Sequence, residues 1–535
     1  MDSDDKKFDA IILGIGHQSL IAATYLAKKN YKVCVLESPT LLPGSTPYEE
    51  FHEGVKTGPC AHMPVTISPE VIEDLNLESH GFSMSENHSS VFVPSKEQAH
   101  LFIGKNFEQT QQNIATLSAK DGNVFFDMHD NLSRLAELFE SLDKDMPDYT
   151  QKGWKDLWAV FETARHLSSD NKDLQEFFTK IMKMSLKDFL DAHFENDLVK
   201  GMLSFHATIG SMVNPSKEGS ASALGVFILG LGTSALYRGD WQPIRGSLQP
   251  YMKALTQSAM NFGVHFATSA TVQKILIENN HFKGIETDDG IFTSPILIAD
   301  TNPHKMFLDL MEPEKLPPEF KMRVESLGGV SGFIRVKLAL KELPQFTCLN
   351  GADPIPYLQS DVTLSPDIGF IQTAYDQTMS DGGSQRPGVS LVFPSLKSPE
   401  LAKDGLYACS LLGQYFEPNL PDTEENRTAV AKAIISTVND FAPNFLESIV
   451  GFLSVMGSAL DKTIGPLNTD LTGGALPLLK MFQRKFSHHA LMADIPFEGI
   501  YMCGYGPESS ANAHVLNAGK SVADYVSTIR KPAAA

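Results

Sequence analysis

Gly14 and Gly16, with His17 and Ser19 directly after them and Glu37 about twenty residues on, carry the clearest chemistry in the chain. Glycine turns tightly and lets a phosphate come close to backbone N–H groups, which side chains would otherwise screen. A carboxylate at the position of Glu37 can accept hydrogen bonds from both hydroxyls of an adenosine ribose. The spacing therefore points to an adenine dinucleotide site. One element departs from it: Ser19 stands where a third glycine normally allows close helix–strand packing, and so small a residue predicts slight loosening, not a lost fold. The plain alternative is an ordinary strand–helix–strand unit whose glycines only turn the chain.

No other cluster has a comparable pattern. His17 lies beside the phosphate turn and reads as orienting backbone, not as carrying protons. His206, in LSFHATIG, reads as a buried, hydrogen-bonded histidine, with a cavity-facing role as the alternative. Arg245, before Gly246, suits a phosphate, an acidic substrate group or a surface ion pair equally. His488 and His489 are adjacent, so in regular structure they diverge and make a poor metal pair. Trp154, Trp158 and Phe161 share a helical face, which is the pattern of a core. No nucleophile motif and no metal cluster is found, and no residue is singled out as catalytic.

The elements that position this chemistry follow from periodicity. Ile11, Ile12 and Leu13 form the apolar run of a strand buried on both faces, a helix follows from about Ser19 to Lys29, and Lys32 to Leu36 forms a second strand. Pro43-Gly44 and Gly58 mark a loop expected to fold back over the nucleotide, though by its residues alone it is only a Pro/Gly-rich connection. From Ile67 to about Asn196 the chain reads as helical, with Asn106–Ser118, Leu132–Leu142, Lys155–His166 and Ser185–Leu198 as amphipathic segments. A helix ending at Phe262 and a run of strands through Ala299 come next, followed by Asp300-Thr301-Asn302-Pro303. SGFIRVKLAL, IGFIQTAY, GVSLVF and LYACSLLGQY predict an antiparallel sheet, and Glu424–Val450 predicts a helix. Ile500–Cys503, Gly504 and a helix from about Ala513 make a second strand–glycine–helix unit, so the two chain ends are expected to meet at one cofactor. The fold class is α/β, in interleaved pieces: 1–66, 241–310 and 486–530 for the nucleotide half, 67–240 as a helical cap, and 311–485 as a substrate half of mixed or antiparallel sheet plus helices.

At 535 residues the chain exceeds one ordinary core, and 42% apolar with 20% charged residues makes it globular. A formal net charge of −20 argues against nucleic acid and against a broadly basic membrane face. Cys34, Cys60, Cys348, Cys409 and Cys503 are scattered without a CxxC pair, which fits a reducing compartment. The start, MDSDDKK, is acidic and unlike a targeting peptide. The longest apolar run, Ala223–Leu236, is too short to span a bilayer; it reads as buried packing, with a tunnel wall or a peripheral membrane contact as alternatives. A cytoplasmic location is expected.

Over nearly its whole length the chain resembles the FAD-dependent amine oxidase and phytoene desaturase superfamily, in its phytoene dehydrogenase-like branch. Gly14-Ile15-Gly16-His17-Gln18-Ser19-Leu20 is similar to that branch's GxGHNGL turn, with the histidine directly after the second glycine. Gly54 to Gly58, Ser269–Val272, FPSLKSPELAKDGLY and Ile500–Gly504 resemble further anchors in the family's order. The resemblance implies a GR2-type FAD fold, with a Rossmann-like half and a sheet-floored substrate half. It places the pyrophosphate at Gly14, Gly16, His17 and Ser19, the ribose at Glu37, the loop after the second strand at Gly44 and Ser45, the adenine at the backbone of Val272, and the flavin near Gly504. Two departures bear on the cofactor. Gly44-Ser45 stands where the family reads Gly-Gly, and Pro507–His514 replaces a glycine-rich run. The implied activity is hydride transfer between a hydrophobic small molecule and FAD. The alternatives are a flavin-dependent double-bond isomerase and a relative that lost FAD and holds a lipid or a partner protein. A tightly bound second nicotinamide cofactor is not expected, because a second internal fingerprint is missing.

Overall fold

A computed structural model of the chain describes residues 6–36, 49–58, 65–66, 68–83, 90–97, 99–103, 107–145, 172–224, 243–244, 249–267, 270–301, 303–326, 332–456, 495–503 and 518–532. Its organising element is a five-stranded sheet whose strands all run parallel, in the order Ile500–Met502, Leu297–Ala299, Ala10–Leu13 (β1), Val33–Leu36 (β2), His265–Ala267. β1 is central and fully buried, as a strand covered on both faces must be. Ala10 and Ile12 face a core made with the helices His17–Lys28 (α1), Gln249–Asn261 and Ala518–Ile529. Ile11 and Leu13 face the opposite way, onto the three-stranded antiparallel sheet of Val272–Glu278, His281–Thr287 and Gly290–Thr293.

α1 is buried nearly all round because it lies between the sheet and the last helix, where Ala22, Ala23 and Ala27 permit close approach. It ends where Asn30 turns left-handed at φ 66, while Asn30 N–H and Tyr31 N–H bond back to Ala27 O and Leu26 O. The last helix seats against it at Gly519, whose N–H donates to Gln18 Oε1 at 2.8 Å. A side chain at Gly519 would strike the Gln18 carbonyl. The expected meeting of the two chain ends is therefore real, both at this helix pair and at the Ile500–Met502 edge strand.

The second large sheet has seven strands in the order Ile449–Val455, Phe333–Leu340, Tyr407–Gln414, Val389–Val392, Asp361–Leu364, Val91–Pro94, His100–Ile103. It is antiparallel except where Asp361–Leu364 runs parallel to Val91–Pro94. The mixed sheet plus helices expected for the substrate half is thus present. Its strands are not all the expected ones. IGFIQTAY lies within a helix, Ile368–Asp381, because Asp367 caps it by accepting from Phe370 N–H and because Ile368, Ile371, Ala374 and Thr378 recur on one buried face. The helix read across Glu424–Val450 stops at Asn439, and after a short turn Ile449–Val455 leaves it as an edge strand. Val91–Pro94 and His100–Ile103 come from the stretch read as helical and extend this sheet.

From 107 to 145 and from 172 to 208 the chain is mostly helical, in segments Phe107–Leu117, Ala119–Asp145, Lys172–Lys183, Leu186–His193 and Asp197–Thr208. The single helix read over Ser185–Leu198 is broken at Phe194–Asn196. The buried Asp121 carboxylate accepts from the N–H groups of Glu195 and Asn196 there, and the Asn196 side chain caps the next helix. These helices share a core with Val91, Val93, Leu101 and Ile103, so the cap sits on one end of the seven-stranded sheet. The amphipathic segment read at Lys155–His166, with Trp154, Trp158 and Phe161, lies outside the described residues. Among the described residues no helix is long and apolar enough to cross a membrane.

Candidate functional site

The parallel sheet fixes where chemistry can occur, since crevices in such folds open at the carboxyl ends of the strands. At the end of β1 the chain turns through Gly14, which has φ +104 and donates its N–H to Leu36 O at 3.0 Å. A side chain there would lie 2.7 Å from the Asp300 carbonyl, so this position admits only glycine. Gly16 is exposed and is the N-cap of α1; it brings no capping side chain, and the first turn has no acidic residue. Ser19 is buried, and its hydroxyl donates to Gly16 O at 2.7 Å, tightening the turn where the third glycine was expected.

His17 is half-buried against Tyr251, ring centroids 6.4 Å apart. Burial lowers its pKa to about 4, so near neutral pH the ring is uncharged and holds the turn by packing, without lending charge to an anion. Gly14, Gly16, His17 and Ser19 are thus brought together in one turn. Val272 stands on the other layer, at the start of the three-stranded sheet paired with Thr287, half-buried against the core that β1 and β2 share with that sheet. Glu37, Gly44, Ser45, Gly504, Arg245, His488, His489 and the Pro507–His514 stretch lie outside the described residues.

The remaining candidates resolve in bland directions. His206 is buried, and its Nε2 meets Thr363 Oγ1 at 3.0 Å, which makes it a link between a cap helix and the seven-stranded sheet. Cys34, Cys348, Cys409 and Cys503 are buried. Burial pushes the thiols of Cys34 and Cys348 up to about 12 and about 11 and raises those of Cys409 and Cys503 well above the ordinary range, so none is a thiolate near neutral pH. No group of residues suited to a metal occurs among the described residues.

Two features escaped the sequence reading. Asp300, noted only as the residue after a strand, reaches the N-terminal pole of α1: its Oδ2 accepts from Ser19 N–H at 3.3 Å. The second is the inner face of the seven-stranded sheet. Ile334, Val336, Leu338 and Leu340 point into an apolar core, while the alternate positions carry Arg335 and Lys337, 0% and 4% exposed. Ser410 pairs with Lys337 across the ladder, and Gln414, on the same face, donates to Thr208 Oγ1 at 2.9 Å. Two cations at i and i+2 in FIRVKLAL were the available signal.

The turn fits a dinucleotide. Its helix pole brings no cap of its own beyond the Asp300 contact, its exposed residue is glycine, and it stands at the carboxyl end of the central parallel strand. No family model matches the chain. Whole-chain relatives do: pyridine nucleotide-disulfide oxidoreductase domain-containing protein 2 of Rattus norvegicus is 25% identical over 526 residues, 94% of this chain and 90% of that protein. The chloroplastic prolycopene isomerase of Daucus carota is 23% identical over 83% of this chain and 68% of its own. Among solved structures, an oxidoreductase from Methanosarcina mazei superposes with a TM-score of 0.57 at 18% identity, covering 97% of this chain and 100% of its own. Over nearly its full length the chain is thus similar to pyridine nucleotide-disulfide oxidoreductase domain-containing protein 2, more distantly similar to a prolycopene isomerase, and shares its fold with a solved oxidoreductase.

Proposed function

We propose that the chain binds FAD and catalyses hydride transfer between the flavin and a hydrophobic small molecule of the polyene, isoprenoid or fatty acyl kind. The observation that carries this reading is the glycine turn at the end of β1, with Gly16 exposed at the N-terminal pole of α1, which has no capping side chain of its own. Backbone N–H groups of this turn would hold the diphosphate, and Gly14 lets the turn close against the neighbouring strand. When bound, the flavin supplies the hydride acceptor, so the protein's share is orientation, exclusion of water and charge placement. His17 is uncharged near neutral pH, so it brings no charge to the turn.

The test is an absorbance scan of purified protein, then heat release of any chromophore. The expected result is oxidised-flavin bands, with FAD in the supernatant and bleaching when a hydrophobic alkene substrate is added without oxygen. A colourless protein that takes up no added FAD rejects the reading. The likeness to a prolycopene isomerase supports a second reading, in which reduced flavin assists a double-bond isomerisation. There, product and substrate would have equal mass and no electron acceptor would be consumed.

A further inference from the structure

We propose that Asp300 sets the affinity of this site for its dinucleotide, by seating a carboxylate at the helix pole that the diphosphate must use; this rests on the FAD reading above. The backbone of Asp300 is anchored, because its N–H donates to Leu13 O at 2.8 Å as the sheet ladder ends. Only the side chain is left to move. Its Oδ2 accepts from Ser19 N–H at 3.3 Å, one of the backbone donors that an α-helix leaves open at its start. Gly16 makes the seat possible: a Cβ at that position would lie 2.1 Å from the same oxygen. The glycine that admits a phosphate here therefore also admits this carboxylate.

In the ligand-free chain the arrangement is favourable, since a negative charge at a helix N-terminus is stabilised by the dipole and by the open N–H groups. A bound diphosphate brings further negative charge to the same pole. The neighbouring His17 and Cys503 are uncharged near neutral pH, so neither offsets it. Binding then requires the Asp300 side chain to rotate away, or else brings two anions together at one pole. Either way part of the binding free energy is used to displace an internal ligand. Asp300 is thus an internal anion that stabilises the empty site and weakens the filled one.

The experiment compares the full chain with Asp300→Asn, which keeps shape and removes charge, and with Asp300→Ser, which is smaller but retains an acceptor. FAD, ADP and adenosine are titrated separately into flavin-stripped protein, and melting temperature is recorded with and without saturating FAD. Both variants are expected to bind FAD and ADP at least tenfold more tightly, with adenosine unchanged, because adenosine lacks the diphosphate. The ligand-free variants are expected to melt lower than the parent, and the FAD-saturated ones not to. Equal FAD and ADP affinities in parent and variants overturn the proposal alone. Absence of FAD and ADP binding in all three overturns it together with the FAD reading. A variant that fails to fold is replaced by the other, and failure of both to fold without FAD while both fold with it supports the proposal.

Discussion

The two large sheets use their faces in opposite ways. The five-stranded parallel sheet is apolar on both sides: Ala10 and Ile12 serve one core, Ile11 and Leu13 the other, and its polar chemistry is confined to the strand ends, at Gly14, Gly16 and Asp300. The seven-stranded sheet is apolar on one side and mixed on the other, where polar residues at its middle give way to the apolar cap core at Val91, Val93, Leu101 and Ile103. Its other face holds Arg335, Lys337, Ser410, Gln414 and Thr363, all buried. A sheet covered on both faces by apolar layers can present function only at its edge, through loops. A sheet with one polar face presents it along the strands, where every second residue counts.

Three changes test that contrast. Arg335→Ala, in the polar face, is expected to destabilise the chain by about 4 kcal/mol, because it removes a fully buried cation from the groups arranged around it. Denaturant unfolding checks this, and a loss below about 1 kcal/mol would show that the face tolerates change as a solvated surface does. Gly14→Ala, at the strand end, is expected to cost about 3 kcal/mol, since it combines φ +104 with an oxygen 2.7 Å away. It should also abolish FAD retention, whereas Arg335→Ala protein that remains folded should keep it.

The smallest effect is a pH dependence in the nucleotide half. The His17 pKa in the folded chain, about 4, lies below its unfolded value of 6.5. The unfolded state therefore takes up the proton first as pH falls. Its contribution is complete above pH 6.5 and is lost progressively between there and about pH 4. The expected loss is about 2 kcal/mol, less than the full shift implies because the ring keeps part of its hydration. His17→Gln should flatten that part of the stability profile, and an unchanged slope would mean that the ring is hydrated in the folded chain.

The same contrast explains what could be read from the sequence. β1, α1 and β2 were legible because an apolar run, a glycine turn and a helical repeat each signal locally and agree with one another. In the seven-stranded sheet, the two strands at Val91–Pro94 and His100–Ile103 are too short for periodicity to speak, and the pairing of Val91–Pro94 with Asp361–Leu364 is a long-range event. IGFIQTAY looked like a strand in an eight-residue window, whereas its helical repeat emerges only over Ile368–Thr378. The turn residues Gly14, Gly16, His17 and Ser19 were found by spacing. Asp300 was not, because its role is created by a strand that arrives beside β1 from 281 residues beyond Ser19. Arg335 and Lys337 were visible as charges, but which face would be apolar depends on what packs there.

The clasp between Gln18 and Gly519 joins residues 501 positions apart, and the strand at Ile500–Met502 closes the same half of the molecule. During synthesis the first strand–helix–strand unit emerges early, yet the helix that covers α1 emerges only some 501 residues later. Until then the apolar surface of Leu26, Ala22 and Ala23 that awaits Val522 and Val526 has no native cover. The half built on the parallel sheet is consequently finished late, after the half built on the seven-stranded sheet has had the opportunity to form. Truncation in the helix Ala518–Ile529 would then be felt first at the opposite end of the chain, in the glycine turn proposed for the diphosphate.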